Sequence, residues 1–395
     1  MLTLKRAFFS VVVVVLALFS GQWSGPAWGQ GGELCVVFSG GRGDLSFNDM
    51  AAIGANRASS ELGLSVNFVE TASEADVLPS LRSLSRSGNC ALVVSVGETQ
   101  TEDVSAAALE FPNQKYLSIG NPIPDRANLQ SVQFSEHVGS ALVGALAALI
   151  NNNVGGGGAG IVIGAEFPTL WRFECGFKWG VRWVDNGMKA DFFDQATINK
   201  DTLLPSVYVG SFEDPAKGRS ATEAQLAQGV SVVYQVAGQT GLGIIAAVAD
   251  AARADGDEVG PPFAIGVDAD QDWQNGGGIV VASMMKRVDL AVFDGAKAVV
   301  EGTFQTGIVN PPGGGVSVSN LDTLGDFLQL AVDAGQIKAG DRDKIAAQVK
   351  ALRERFATEF ATVDNLSQEI SSGQVSIPFP ETQDDINACR AKLDS

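Results

Sequence analysis

Histidine is almost missing from this chain: of 395 residues, only His137 is one. A Ser-His-Asp triad would have to be built at that single residue, and no G-x-S-x-G turn accompanies it. His137 itself reads as a surface or cap-adjacent side chain at a helix start. Cysteine is scarce as well. Cys35, Cys90, Cys175 and Cys389 match neither a zinc spacing nor a C-x-x-C pair. One or two disulfides, or free buried thiols, are both compatible with those positions, and the pairing is left open. Basic charge is short too, with 27 Lys and Arg against 45 Asp and Glu and a net charge of −18. Binding nucleic-acid phosphates needs a basic patch, which scattered cations do not supply. Heptad arrays and long low-complexity segments are likewise missing.

Long apolar runs are short of a membrane span. Residues 1–29 carry a basic start at Lys5 and Arg6, an apolar core over 7–19 and the A-x-A-like Ala27-Trp28-Gly29 before Gln30. That core falls short of the roughly 20 residues a spanning helix needs, and the arrangement reads as a secretory signal peptide. No lipobox precedes Cys35, which begins a strand. The expectation is an exported, periplasmic chain, soluble after cleavage. Losing Lys5 and Arg6 takes the formal charge from −18 to −20, a balance that favours solubility.

What the chain has in quantity is alternation. ELCVVFSG, LSVNFVET, CALVVSVGE and QKYLSIGN read as strands separated by helical stretches. SVQFSEHVGSALVGALAALI then reads as the opening of a long apolar helix, ended by the glycines of 155–158. The alternation starts again with AGIVIGAE, SVYVGSF, SVVYQVAG, PFAIGVD and IVVASMMK. Two successive doubly wound units predict two α/β lobes with a cleft between them. NPPGGGV at 310–316 reads as a loop, and DRDKIAAQVKALRERFATEF as one exposed amphipathic helix.

One stretch invites chemistry. SGGRGDLSFND follows the first strand and leads into a helix, which in open α/β sheets is where ligands bind. No Gly-Lys-Ser/Thr follows, so it is not a P-loop. As a calcium loop starting at Asp44 it has Asp49 where glycine is needed and Ala55 where glutamate is needed. A recognition loop remains, with Asp44 or Ser46 available as helix cap. GQTGLG at 238–243 lacks the order of a dinucleotide fingerprint and reads as a tight βα turn able to bring backbone N–H groups near a ligand. The acidic DADQD at 268–272 reads as a solvated cluster.

Six segments, GGRGDLSFNDMA, WRFECGFKWGV, YVGSFEDPAKG, VVYQVAGQTGLG, AIGVDADQDW and SMMKRVDLAVFD, occur in an order that resembles the basic membrane protein family. Its members are substrate-binding components of ABC importers, and the best understood are purine-nucleoside receptors. The resemblance implies a type I periplasmic binding protein, two doubly wound α/β lobes joined by a three-crossover hinge. It places residues 33–135 with about 270–312 in the first lobe, 136–269 with about 313–380 in the second, and 381–395 in a C-terminal tail.

Carried over motif by motif, the ligand contacts would be these. Asn48 and Asp49 would meet the base, and Phe38 and Phe212 would sandwich it by stacking. Gly238 and the backbone after it would approach the sugar, and Asp268 and Lys286 would hold its hydroxyls. Asn121 stands where the family usually has an aspartate reading the base edge. GETQTED at 97–103 replaces a segment with an aromatic, so that Glu98 and Gln100 make this wall more polar. His137, Trp171 and Cys175 are further departures. The implied function is a monomeric periplasmic receptor that delivers a nucleoside-like heterocycle to an inner-membrane ABC permease. No catalytic residue, metal or cofactor, and no nucleic-acid partner, is implied. Another polar solute such as a nucleobase or flavin-like vitamin, a sensor for a membrane receptor, and a nucleoside hydrolase using the DADQD carboxylates are the alternatives.

Overall fold

The computed structural model describes residues 32–254 and 256–394; the expected signal peptide lies outside the described residues. Eight elements form the first alternation: β1 (Glu33–Ser39), α1 (Phe47–Leu62), β2 (Ser65–Thr71), α2 (Val77–Ser87), β3 (Cys90–Val96), α3 (Thr101–Glu110), β4 (Tyr116–Ile119) and β5 (Leu129–Val132). The second runs through α4 (Glu136–Val154), β6 (Gly158–Ile163), α5 (Pro168–Asp185), β7 (Ser206–Tyr208), α6 (Pro215–Leu226), β8 (Val230–Val236), α7 (Thr240–Arg253), β9 (Phe263–Asp268) and β10 (Val280–Lys286). The chain then returns to the first unit as α8 (Val288–Glu301) and β11 (Gly307–Val309). It finishes on the second as β12 (Val316–Val318), α9 (Leu321–Asp333), α10 (Arg342–Arg355), α11 (Ala357–Ser371) and α12 (Gln383–Leu393).

The two six-stranded sheets repeat one order, β2-β1-β3-β4-β5-β11 and β7-β6-β8-β9-β10-β12. All pairs are parallel except β10 with β12. Strand order reverses beside β1 and again beside β6, the two places where such sheets leave a crevice at their carboxyl ends. Central strands such as β3 and β8 are buried along their whole length, as expected when helices cover both faces.

The chain crosses between the lobes three times: after β5, after β10, and between β11 and β12. The crossings are tied to one another. Gln133 N donates to Val309 O at 3.0 Å, Ser135 N to Gly314 O at 2.9 Å and Arg287 N to Gly315 O at 2.9 Å. Gly314 and Gly315 hold φ of 71° and 65°, and a Cβ on either would collide with Ser135 or Phe134. The Gly-rich loop of the sequence is therefore the third crossing, and its glycines are needed for both dihedral and clearance.

Several sequence expectations are corrected here. SVQF does not open the long helix: its first residues end β5, a strand held between β4 and β11, and α4 starts at Glu136. β10 pairs with β9 in the second sheet, so the return to the first lobe begins after Lys286 instead of near residue 270. The helix expected over 341–360 is two, divided at Phe356, whose buried ring meets Phe263 edge-on at 5.5 Å. Within the expected C-terminal tail, α12 packs on α5 through a Cys175–Cys389 disulfide and through Arg390, which donates to Glu174 at 2.7 Å. The other two cysteines are joined as well, Cys35 to Cys90 across β1 and β3. No described helix is long and apolar enough to cross a membrane.

Candidate functional site

Both sheets point their carboxyl ends at one cavity of about 390 Å³. Loops after β1, β2 and β3 wall it on one side, and loops after β6, β7 and β8 on the other. Asp268, the last residue of β9, and Lys286, the last of β10, complete it. Its size lies within the usual range for small-molecule sites, about 300–1,000 Å³.

The SGGRGDLSFND loop builds much of the first wall. Asp44 is buried and accepts from the backbone N–H of Asn48 at 2.9 Å and of Asp49 at 3.1 Å, so Asp44 caps α1. Burial, with Asp49 adding repulsion, pushes its carboxyl up to about 6. Ser46 does not cap the helix. Its hydroxyl lies 3.0 Å from Val267 O and 3.1 Å from Asp268 Oδ2, reaching across to the second lobe. Asn48 lines the cavity and spends its amide N–H groups on Ser39 O and Gly41 O. What it offers a ligand is therefore the acceptor Oδ1.

Asp268 carries several marks of a constrained residue. Its φ of 63° lies in the left-handed region, a cost for a non-glycine residue. Burial drives its carboxyl up to about 7; Lys286 opposes that shift, while Asp44 and Glu98 add to it. Oδ2 takes the Ser46 hydroxyl and Oδ1 has no partner. Lys286 is equally enclosed. Its Nζ sits 3.0 Å from Glu136 Oε1 and about 5 Å from the ring centres of Phe134 (5.0 Å) and Phe47 (5.1 Å), with Phe173 at 5.6 Å. Burial would lower its pKa, but Glu136, Glu98 and Asp268 more than offset this and hold it above the ordinary value. A lysine ringed by aromatic faces and acids is a fixed cation.

Of the residues singled out in the sequence, Asn48, Phe212, Gly238, Asp268 and Lys286 are brought together at the cavity. Three are not. Phe38 is fully buried in the first core, its ring 5.8 Å from Phe68, because it shares the strand face of Leu34 and Val36. Asp49 turns back on its own loop and accepts from Gly43 N at 2.9 Å and Leu45 N at 2.8 Å. Asn121 lies behind the wall, accepting from Thr169 Oγ1 at 2.8 Å and donating to Glu98 O at 3.5 Å.

Other residues take the vacated places. Phe47 brings an aromatic ring to the cavity from the first lobe, as Phe212 does from the second. Phe173 and Glu98 line it too, and burial raises the Glu98 carboxyl despite Lys286 nearby. Gln100 points away and accepts from Ser95 at 2.5 Å. The DADQD carboxylates are not solvated. Asp270 and Asp272 are fully buried and held by Thr323, Ser283, Ser319 and Arg353. His137 is half-buried against the edge of Phe379 at 4.8 Å, and burial lowers its pKa to about 4. Among the described residues the one group with metal-like spacing is Glu33 with Cys35 and Cys90, and both sulfurs there are in a disulfide.

Comparison with known proteins finds the same two-lobed architecture elsewhere. Residues 33–313 match the Bmp family model, described as ABC transporter substrate-binding protein PnrA-like. An uncharacterized lipoprotein of Pyrococcus horikoshii is 33% identical over 96% of this chain and 94% of its own length. The ABC transporter nucleoside-binding protein BmpA of Lactococcus lactis is 27% identical over 84% of this chain and 93% of its own. Among solved structures, an ABC transporter solute-binding protein of Aeropyrum pernix superposes with a TM-score of 0.81 at 36% identity, covering 92% of this chain and 98% of that one. The chain belongs to the Bmp family of PnrA-like ABC transporter substrate-binding proteins.

Proposed function

We infer that the protein binds a nucleoside-like heterocycle between its lobes and delivers it to an ABC permease. The observation that carries this reading is that Phe47 from one lobe and Phe212 from the other line one cavity together with Asp268 and Lys286. Flat aromatic faces take a heterocycle by offset stacking, worth about 0.5–1.5 kcal/mol per pair beyond area burial. A carboxylate with an unpartnered oxygen and an ammonium in the same cavity suit the hydroxyls of a sugar, one accepting and one donating. Asn48 Oδ1 supplies a further acceptor. A lipoprotein relative and a nucleoside-binding relative support export and this solute class.

A ligand contacting both walls favours the closed arrangement over the open one, and closure is the state a permease would recognise. The function is reversible binding without turnover. Calorimetric titration with nucleosides, nucleobases and flavin-like vitamins tests it, alongside mass spectrometry of solutes released from the purified protein. Nucleoside binding at micromolar or better affinity, with no free base formed on incubation, is expected. Silence across all nucleosides, or steady release of free base, overturns the reading.

A further inference from the structure

The charge on the cleft wall is lopsided. Asp44, Glu74, Glu98, Glu213 and Asp268 line it, against the single ammonium of Lys286. That ammonium is already engaged by Glu136 at 3.0 Å, with Glu98 Oε1 at 3.9 Å. Arg172, the next cation inward, is buried beside the other oxygen of Glu136 at 3.6 Å and lies over the Phe379 ring. Among the described residues, then, no unpaired cation lines the cleft.

Acceptors, by contrast, are in surplus. Asp268 is only 7% exposed, and its Oδ1 has no hydrogen-bond partner. The Glu98 carboxylate lines the same cavity, and its nearest cation stands beyond hydrogen-bond distance. A buried acceptor without a donor, as Asp268 Oδ1 is, is costly, and a ligand that brings the donor relieves that cost. An anion placed there would meet like charge in a poorly screened interior. The faces of Phe47 and Phe173, already turned to a cation, add further negative potential.

We propose that Glu98 is a specificity-determining ligand contact that, with Asp268, restricts the cleft to neutral or cationic donor-rich solutes and excludes anionic ones. This rests on the nucleoside-like reading of the same site. Within that class it separates a nucleoside from its own 5′-phosphate, and it ranks a 5′-amino substituent above a 5′-hydroxyl. Glu98 belongs to the polar GETQTED segment, and the Asn121 amide behind it bonds its backbone carbonyl while the carboxylate lines the cavity.

The test is calorimetric titration of the full mature chain and of Glu98→Gln with four ribonucleosides, their 5′-monophosphates and their 5′-amino-5′-deoxy analogues. Amine and hydroxyl forms match in size, so their ratio reports charge and not bulk. The wild-type chain is expected to bind the amine at least threefold more tightly than the hydroxyl form, and the phosphate at least 30-fold more weakly. Glu98→Gln should reduce the amine-to-hydroxyl ratio to about one. Nucleoside binding with no charge preference, or a preference unchanged in Glu98→Gln, overturns this inference and leaves the nucleoside reading standing. Silence toward every compound overturns both. Circular dichroism controls for folding. If Glu98→Gln does not fold, Glu98→Asp serves: the charge preference should survive in it with affinity reduced, and its loss counts against the proposal.

Discussion

Ser46, at the threshold of α1 in the first lobe, places its hydroxyl 3.1 Å from the Asp268 carboxylate at the end of β9 in the second. A serine has one proton to give, and Val267 O lies equally close at 3.0 Å. With Asp268 ionised the hydroxyl is shared between the two acceptors. With Asp268 protonated, Ser46 donates to Val267 and accepts from the carboxylic acid. The contact between lobes therefore depends on the protonation of a group that titrates near neutrality.

Stability should fall as pH rises through the neutral range. Asp44 and Asp268 have folded-state values of about 6 and about 7 against 3.8 when unfolded. A raised carboxyl makes the folded state bind more protons, so its contribution is full below pH 3.8 and lost as pH rises through the folded value. The slope is roughly 1.4 kcal/mol per pH unit for each group across its window. Thermal unfolding of the unliganded chain should give a higher Tm at pH 5 than at pH 8. Asp268→Asn should flatten that profile between pH 5 and pH 7, and an unaltered profile would count against the burial argument.

Ligand binding should show the opposite pH trend. Donors from a ligand favour the ionised Asp268, so affinity should rise as pH increases through about 7. Asp268→Ala should weaken binding by about 1.5–3 kcal/mol, the range for a hydrogen bond to a charged group, while the two lobes remain folded. Titration calorimetry at pH 6 and pH 8 reads both effects.

The two phenylalanines of the SGG-loop region should separate cleanly. Phe38→Ala removes a fully buried core ring and should cost about 3–5 kcal/mol of stability, with ligand affinity little changed in the folded fraction. Phe47→Ala should lower affinity tenfold or more with a smaller loss of Tm. Denaturant unfolding paired with titration distinguishes them, and the reverse pattern would restore Phe38 to the site.

Lys286 should prove structural as well as functional. Lys286→Met leaves Glu136 buried without its nearest cation and should cost about 3–5 kcal/mol. The double variant Lys286→Met with Glu136→Gln should recover part of that stability, since buried Arg172 then loses its carboxylate partner, and none of the ligand affinity. A double variant as unstable as the single one would mean that the pair is not the source of the cost.

Reduction should loosen the C-terminus and spare the cleft. The Cys175–Cys389 bond closes a span of 214 residues, and disulfides typically contribute about 2–4 kcal/mol. Cys175→Ser with Cys389→Ser should lower Tm and raise hydrogen exchange in α12. Affinity should stay within twofold, since neither residue lines the cavity.

Much of this architecture is written in local pattern. The long strands and helices announce themselves by period, and two rounds of alternation are enough for two lobes. β5, β11 and β12 escape because they are short and their place depends on partners far along the chain: β5 pairs with β11, and β12 returns to β10. Phe38 and Phe47 differ by a fact that the strand does encode: Leu34, Val36 and Phe38 share one face, which α1 covers. Ser46 with Asp268, 222 positions apart, is legible only once both sheets aim at one cavity. The acidic DADQD run looked solvated because its partners Ser319, Thr323 and Arg353 come from later in the chain.

The three tied crossings set how the lobes can move. Strands joined side by side by hydrogen bonds between Gln133 and Val309, Ser135 and Gly314, and Arg287 and Gly315 resist sliding and torsion far more than bending. Such a tie favours a hinge that bends about one axis over one that slides or twists. On the proposed reading, each wall would return to the same registration, and a solute would meet Phe47 and Phe212 in fixed alignment without a search over lobe orientations.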